Sequence, residues 1–211
     1  MRIHACPVRF YYEQSGTITE SDRYAICKQL SYHLGNPLDT EVIWNEITTV
    51  RPGIDPALKE YLGICISSCS RHNWQPAKET DVRVFSDRNG ITGMIDRMMP
   101  DGTFSIIRAA GAMPMGTYAA DRLRIAAIAL CLEEMTGNEV AGGSIEHIPD
   151  GIVRYHMVQP RDRRQVLATL HKYRSIREGR LPEPPLNAPC NRCRFKERCE
   201  GSTGKRLSEL L

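Results

Sequence analysis

Arg88-Asn89-Gly90-Ile91-Thr92-Gly93-Met94-Ile95-Asp96-Arg97-Met98 reads as a turn running into a β-strand. Asn-Gly is a hairpin dipeptide because both residues tolerate positive φ. Ile91 to Met98 then makes the strand. Working backwards, Val82, Val84 and Phe85 belong to a preceding strand. Working forwards, Pro100-Asp101-Gly102 turns the chain again and Thr103 to Ala109 makes a third. Strands joined by turns this short are antiparallel neighbours.

Helical periodicity flanks this meander. Residues 20–34 place Tyr24, Cys27, Leu30 and Leu34 on one face, with Gly35 as a stop. Thr40 caps a second helix carrying Val42, Ile43, Trp44 and Ile47, and Asp55-Pro56 starts a third whose stripe is Leu58, Tyr61, Leu62, Cys65, Ile66 and Cys69. After the meander a helix runs from about Tyr118 to Met135 and closes at Gly137. Strands at about 139–148 and 152–158 flank Pro149-Asp150-Gly151, and Pro160 precedes a last helix that ends at Gly179. Leu181-Pro182-Glu183-Pro184-Pro185 is an extended linker into a polar tail. The order predicts one α/β domain over residues 1–211 with a mixed sheet and flanking helices. Its parts are a helical stretch (1–75), a sheet–helix core (80–178) and a tail (180–211).

The chain has 211 residues, 41% hydrophobic and 25% charged, within the range of globular domains. A net charge of +3 permits nucleic-acid binding without arguing for it. The longest apolar run, Ile125 to Leu132, is too short to cross a bilayer. Met1-Arg2-Ile3-His4-Ala5-Cys6 has no apolar signal region, which predicts a cytoplasmic protein whose cysteines are thiols or metal ligands.

Three of the 8 cysteines crowd the tail as Cys190-Asn191-Arg192-Cys193 and Cys199, a C-x2-C-x5-C cluster. Pro, Arg and Lys dominate there, so a metal centre would supply folding energy that a core cannot. Cys6 is the candidate fourth ligand and Cys27 its rival; Cys27, Cys65, Cys69 and Cys131 fall in apolar helical patterns and read as packed thiols. From the residues alone, zinc and an iron–sulfur cluster fit equally. Arg161, Arg163, Arg164, Lys172, Arg174, Arg177 and Arg180 make the last helix basic, joined by Arg192, Arg194, Lys196 and Arg198. Such a run is a solvated face or a phosphate-binding one. Trp44, Trp74, Tyr11 and Tyr12 are packing residues or platforms for unpaired bases.

Together, Cys6-Pro7-Val8-Arg9-Phe10-Tyr11, the meander with Gly93-Met94-Ile95-Asp96, the helix after it and the closing cysteines resemble the RecB-like iron–sulfur nucleases associated with CRISPR systems. The resemblance implies the PD-(D/E)xK nuclease fold, and a [4Fe-4S] cluster on Cys6, Cys190, Cys193 and Cys199. It also implies metal-dependent trimming of DNA ends before spacer integration, with single-stranded or end-containing DNA and CRISPR integrase proteins as partners. In that family an aspartate and a Glu-x-Lys hold Mg²⁺ or Mn²⁺ and activate water. Asp96 matches the aspartate. Arg108 stands in place of the Glu and Ala110 in place of the Lys, so Arg108-Ala109-Ala110 replaces the motif. On the next helix Arg124 and Ile128 replace a Gln-x-x-x-Tyr pair, and His33 is the candidate for an early histidine. A cation in place of a carboxylate costs a divalent ion several kcal/mol even at an effective dielectric of ~20. The expectation is an Asp96–Arg108 ion pair, with Arg124 nearby, in a degenerate site that binds DNA without the two-carboxylate chemistry. The alternative is an active Mn²⁺- or Mg²⁺-dependent single-stranded DNA exonuclease whose ligands have moved to Asp121 or Glu146.

Overall fold

The computed structural model describes residues 6–13, 20–185, 188 and 190–202. Met1–Ala5 and Pro189 of the sequence motifs lie outside them. Two compact units divide the chain: residues 19–163, and residues 1–18 with 164–211.

The larger unit carries the meander. β1 (Glu79–Ser86), β2 (Ile91–Met98) and β3 (Phe104–Arg108) are antiparallel neighbours. β4 (Gly142–His147) then joins β3 in parallel and β5 (Ile152–Met157) closes the edge antiparallel to β4, in the order β1-β2-β3-β4-β5. The β3–β4 crossover is α5 (Ala119–Thr136), as parallel strands require a long connection. α5 ends at Gly137, left-handed at φ 73°, whose N–H reaches the Glu133 carbonyl. The loop between β1 and β2 has four residues rather than the two-residue form, since Ser86 pairs with Ile91 and Gly90 supplies the positive φ.

Each face of the sheet is covered. On one, α5 packs across β1, β2 and β4, burying Ile125, Ile128 and Cys131 against Val84, Ile95, Phe104, Ile106 and Ile145. On the other lie α2 (Asp22–His33), α3 (Thr40–Val50) and α4 (Leu58–Cys69). Ile26, Leu30, Ile43, Leu62 and Cys65 meet Ile107 and Ile148 there. Burying an Ile or Leu side chain stabilises by about 1.5–3 kcal/mol, so these two cores carry the unit. α2 is capped by Ser21, whose hydroxyl accepts from the Tyr24 N–H. Asp39, not Thr40, caps α3: its carboxylate accepts from Glu41 and Val42, leaving Thr40 as the first helical residue. Asp55 forms a turn that accepts from the Ala57 N–H, and α4 begins only after it.

The smaller unit contains α1 (Pro7–Glu13), the greater part of α6 (Pro160–Arg177), a 3-10 turn at Cys190–Arg192 and α7 (Lys196–Ser202). The sequence pattern did not predict α1. Phe10 lies against Tyr173 with ring centroids 5.9 Å apart, and Tyr12 against Phe195 at 5.6 Å.

The β4–β5 turn depends on Gly151, which has φ 63° and where a Cβ would sit 2.3 Å from the Ser68 carbonyl oxygen at the end of α4. Gly53 has φ 92° and open space. Gly151→Ala should therefore cost more than Gly53→Ala, which bears only the left-handed penalty of about 1 kcal/mol. Urea midpoints of the two variants compare them directly; equal losses would contradict the close approach.

Candidate functional site

Asp96 lies where the pleat of β2 slips. Ile95 and Met98 both face the α5 core although they are three apart, while Arg97 points to the opposite face. The β1–β2 ladder runs from Thr80↔Arg97 to Val82↔Ile95 without pairing Asp81 to Asp96. Asp81 is left-handed at φ 55°, a conformation Asp tolerates better than most residues but at a cost of order 1 kcal/mol. The β2–β3 ladder pairs only Arg97↔Ser105 and Met98↔Phe104, so Asp96 stands at the mouth of a splay.

The Asp96 side chain, 2% exposed, fills that splay. Its Oδ2 accepts from the Ile107 N–H at 2.8 Å and from the Arg124 guanidinium of α5 at 2.9 Å. Its Oδ1 meets the Lys28 ammonium of α2 at 2.7 Å. Lys28 also pairs with Asp81 Oδ1, whose other oxygen accepts from the Tyr32 hydroxyl at 2.6 Å. One carboxylate thus ties β3 and the helices on both faces to β2. Burial opposes the Lys28 charge, but Asp96 and Asp81 outweigh it and hold the ammonium above its ordinary value. Burial likewise opposes the Asp81 charge, and Lys28 and Tyr32 outweigh it, holding its carboxyl low.

The expected Asp96–Arg108 pair does not form. In the antiparallel register Arg108 falls beyond the last paired residues, and its Nε turns to Asp121 of α5 at 3.2 Å. Arg124 reaches Asp96 as expected. Glu146 and Asp121, the alternative carboxylates, each have their own cation. Glu146 is 3% exposed and takes the Arg97 guanidinium at 2.7 Å, while Arg97 also donates to the Leu34 and Gln75 carbonyls. Burial pushes the Glu146 carboxyl up despite Arg97. His33 bonds Glu46 of α3 at 2.7 Å and is not joined to this network. The sequence reading passed over Lys28, Tyr32 and Asp81. Tyr24, Lys28 and Tyr32 repeat every four residues on α2, which was the available signal.

In the smaller unit, Cys6, Cys190, Cys193 and Cys199 line one cavity of about 40 Å³, with Arg9, Tyr12, Pro184 and Phe195. Sequence spacing makes this local: the Cys193 N–H bonds the Cys190 carbonyl and the Cys199 N–H the Phe195 carbonyl. Cys6 precedes α1, and its Sγ accepts from the Arg9 N–H at 3.5 Å. Burial pushes the Cys199 thiol up, and negative charge on Cys6, Cys190 and Cys193 adds to it. Glu13 of α1 holds Arg9 at 2.9 Å and Arg194 at 3.3 Å. Among the described residues, no group of three or more His, Cys, Asp or Glu side chains stands ready to hold a metal ion. Cys27, Cys65, Cys69 and Cys131 are fully buried in the two cores of the other unit, as their apolar spacing predicts. Trp44 is core, and Trp74 packs against it with its indole N–H on the Cys69 carbonyl at 2.8 Å.

No protein-family model and no curated protein matches this chain. A solved structure does. A crystal structure from Eubacterium rectale, described as a "Putative exonuclease", is similar over 87% of this chain and 76% of its own, with a TM-score of 0.58 and 12% identity. The two share a fold. At this identity the likeness extends to the mixed sheet with its flanking helices and not to individual side chains. No helix among the described residues is long and apolar enough to cross a membrane.

Asp121 provides a pH test of this charge network. Burial is the largest influence and raises its carboxyl, against the pull of Arg108. A carboxyl raised by folding adds stability below its unfolded pKa of about 3.9 and loses it as pH rises through the folded value. Asp121→Asn should gain on wild type as pH rises through that window. Melting temperatures of the two proteins from acid to neutral pH check the sign; an opposite trend would mean that Arg108 dominates.

Proposed function

We propose that this chain is a nuclease-fold protein of the PD-(D/E)xK type that binds DNA and has lost the family's two-carboxylate metal chemistry. The observation that carries the reading is the occupancy of Asp96. Lys28 takes one oxygen, and Ile107 and Arg124 take the other. Arg97 holds Glu146 and Arg108 holds Asp121. Mg²⁺ needs carboxylate oxygens free of such partners, so the residues present do not fit a catalytic Mg²⁺ or Mn²⁺ ion. The opposing reading, an active enzyme with relocated ligands, draws on Asp121 Oδ2 and Glu146 Oε2, which are buried without a hydrogen-bond partner. The cation beside each carboxylate counts against it.

DNA binding is supported by the likeness in fold to the Eubacterium rectale protein and by exposed cations on α6, among them Arg164, Lys172 and Arg177. Arg163 is not part of that set, because both of its terminal nitrogens are bound to Glu133. DNA ends as the ligand, and a place beside CRISPR integrase proteins in spacer acquisition, rest on the sequence motifs alone.

For the four thiols we propose a metal centre on their chemistry and shared cavity, although among the described residues no three of them stand as a ready ligand group in this structure. Soft sulfur ligands from both sequence termini line one small cavity; burial is the main reason the Cys199 thiol is raised, and the smaller repulsion from Cys6, Cys190 and Cys193 is what a bound cation would relieve. The resemblance selects a [4Fe-4S] cluster on Cys6, Cys190, Cys193 and Cys199 over zinc. Its contribution would be folding energy for a unit with few buried apolar side chains.

Fluorescence anisotropy with end-labelled single-stranded DNA tests the DNA reading. Binding in the presence of chelator, weakened by charge reversal at Lys172 and Arg177 and by salt, is expected. Robust Mn²⁺-dependent cleavage that disappears in Asp96→Ala would instead establish an active enzyme. For the thiols, anaerobically purified protein should show broad visible absorption and contain iron. Cys193→Ser should lose both and melt several degrees lower. A colourless protein with stoichiometric zinc would exclude the cluster, and unchanged melting would exclude a structural role for the centre.

A further inference from the structure

Lys28 reaches its two carboxylates from a helix, whereas they come from neighbouring strands. Asp81 and Asp96 face each other at the one step the β1–β2 ladder leaves unpaired, and the positive φ of Asp81 accompanies that break. Each carboxylate gives a single oxygen, its Oδ1, to the ammonium. Each has its other oxygen fixed by donors that do not involve Lys28. The Tyr32 hydroxyl holds Asp81 Oδ2, while the Ile107 N–H and Arg124 hold Asp96 Oδ2. The two Oδ1 atoms therefore converge on one point for reasons independent of the cation occupying it. Outer hydrogen bonds of this kind orient carboxylate ligands in metal sites. Two oxygens with one unit of negative charge left over after Arg124 suit a hard divalent ion. With Lys28 in place the charge is already balanced, and Lys28 is only 16% exposed.

We propose that the Lys28 ammonium is an internal cation that closes the Asp81–Asp96 pair to divalent metal ions, and that removing it converts the pair into a Mn²⁺ or Mg²⁺ site. This rests on the reading that the native site works without such an ion, and it adds the residue that makes it so. Lys28 fills the place through its own tether, so no metal in solution competes on equal terms.

Mn²⁺ binding, followed by loss of the free-ion electron paramagnetic resonance signal, tests it on the full chain. Lys28→Ala and Lys28→Gln should each bind Mn²⁺ at least about tenfold more tightly than wild type. The gain should vanish in Lys28→Ala combined with Asp81→Asn. Mn²⁺ should also raise the melting temperature of Lys28→Ala and leave wild type unchanged. A folded single variant that binds no better than wild type overturns the proposal, as does a gain that survives Asp81→Asn. If neither single variant folds in chelator, folding restored by Mn²⁺ supports it and failure to restore overturns it. DNA binding by wild type in chelator is read separately. Its absence would remove the DNA reading and leave this result standing, and the reverse outcome is equally distinct.

Discussion

A buried carboxylate that must be neutralised organises the larger unit. Asp96 sits at the splay of β2 and β3, away from water. An ion of its size costs several kcal/mol to desolvate even after the surroundings relax. Its partners are drawn from every layer: a backbone N–H from β3, a lysine from α2 and an arginine from α5. Two hydrophobic cores hold the helices against the sheet, but non-directional packing does not choose one sliding position from its neighbours. The charged contacts to Asp96 do, because Lys28 and Arg124 must both arrive within hydrogen-bond distance of the same side chain. A second buried pair, Arg97 with Glu146, links β2 to β4 across β3 in the same manner.

Such pairs specify more than they stabilise. Replacing a buried pair by well-packed apolar residues is often neutral, whereas removing one partner leaves a charge stranded at about 3–5 kcal/mol. The positive side chains of the network are thus held in place by the carboxylates they neutralise. The same contacts that fix the helices leave both oxygens of Asp96 satisfied.

Local patterns made the succession of strands and the five helices from α2 to α6 readable. The turn at Pro100-Asp101-Gly102, the stop at Gly137 and the apolar stripes of α2 to α5 all operate within a few residues. The mixed sheet was read from the order of elements, and the parallel β3–β4 pair joined by α5 is what makes it mixed. Asp96 and Arg124 were singled out through a motif resemblance that spans most of the chain, and the structure joins them in one hydrogen bond. The Asp96–Arg108 pair failed because period-two alternation places Arg108 near Asp96 only if both ladders stay regular; the slip at Asp81 and the opening of the β2–β3 ladder at Asp96 break that premise. Lys28 was passed over for a different reason. Its reach to Asp96 joins residues 68 apart, and the Tyr24, Lys28, Tyr32 repeat on α2 names a helix face without naming the carboxylates it meets. α1 was missed because its seven residues, Pro7–Glu13, are too few to show a period. Clustering of Cys190, Cys193 and Cys199 was explicit in the spacing, and Cys6 lines the same cavity.

Diffraction from crystals of wild-type protein grown with Mn²⁺ measures the central claim most directly. An anomalous difference map should be featureless between Asp81 and Asp96, with the Lys28 ammonium still in contact with both carboxylates. A strong anomalous peak within coordination distance of Asp96, with Lys28 displaced, would contradict the account.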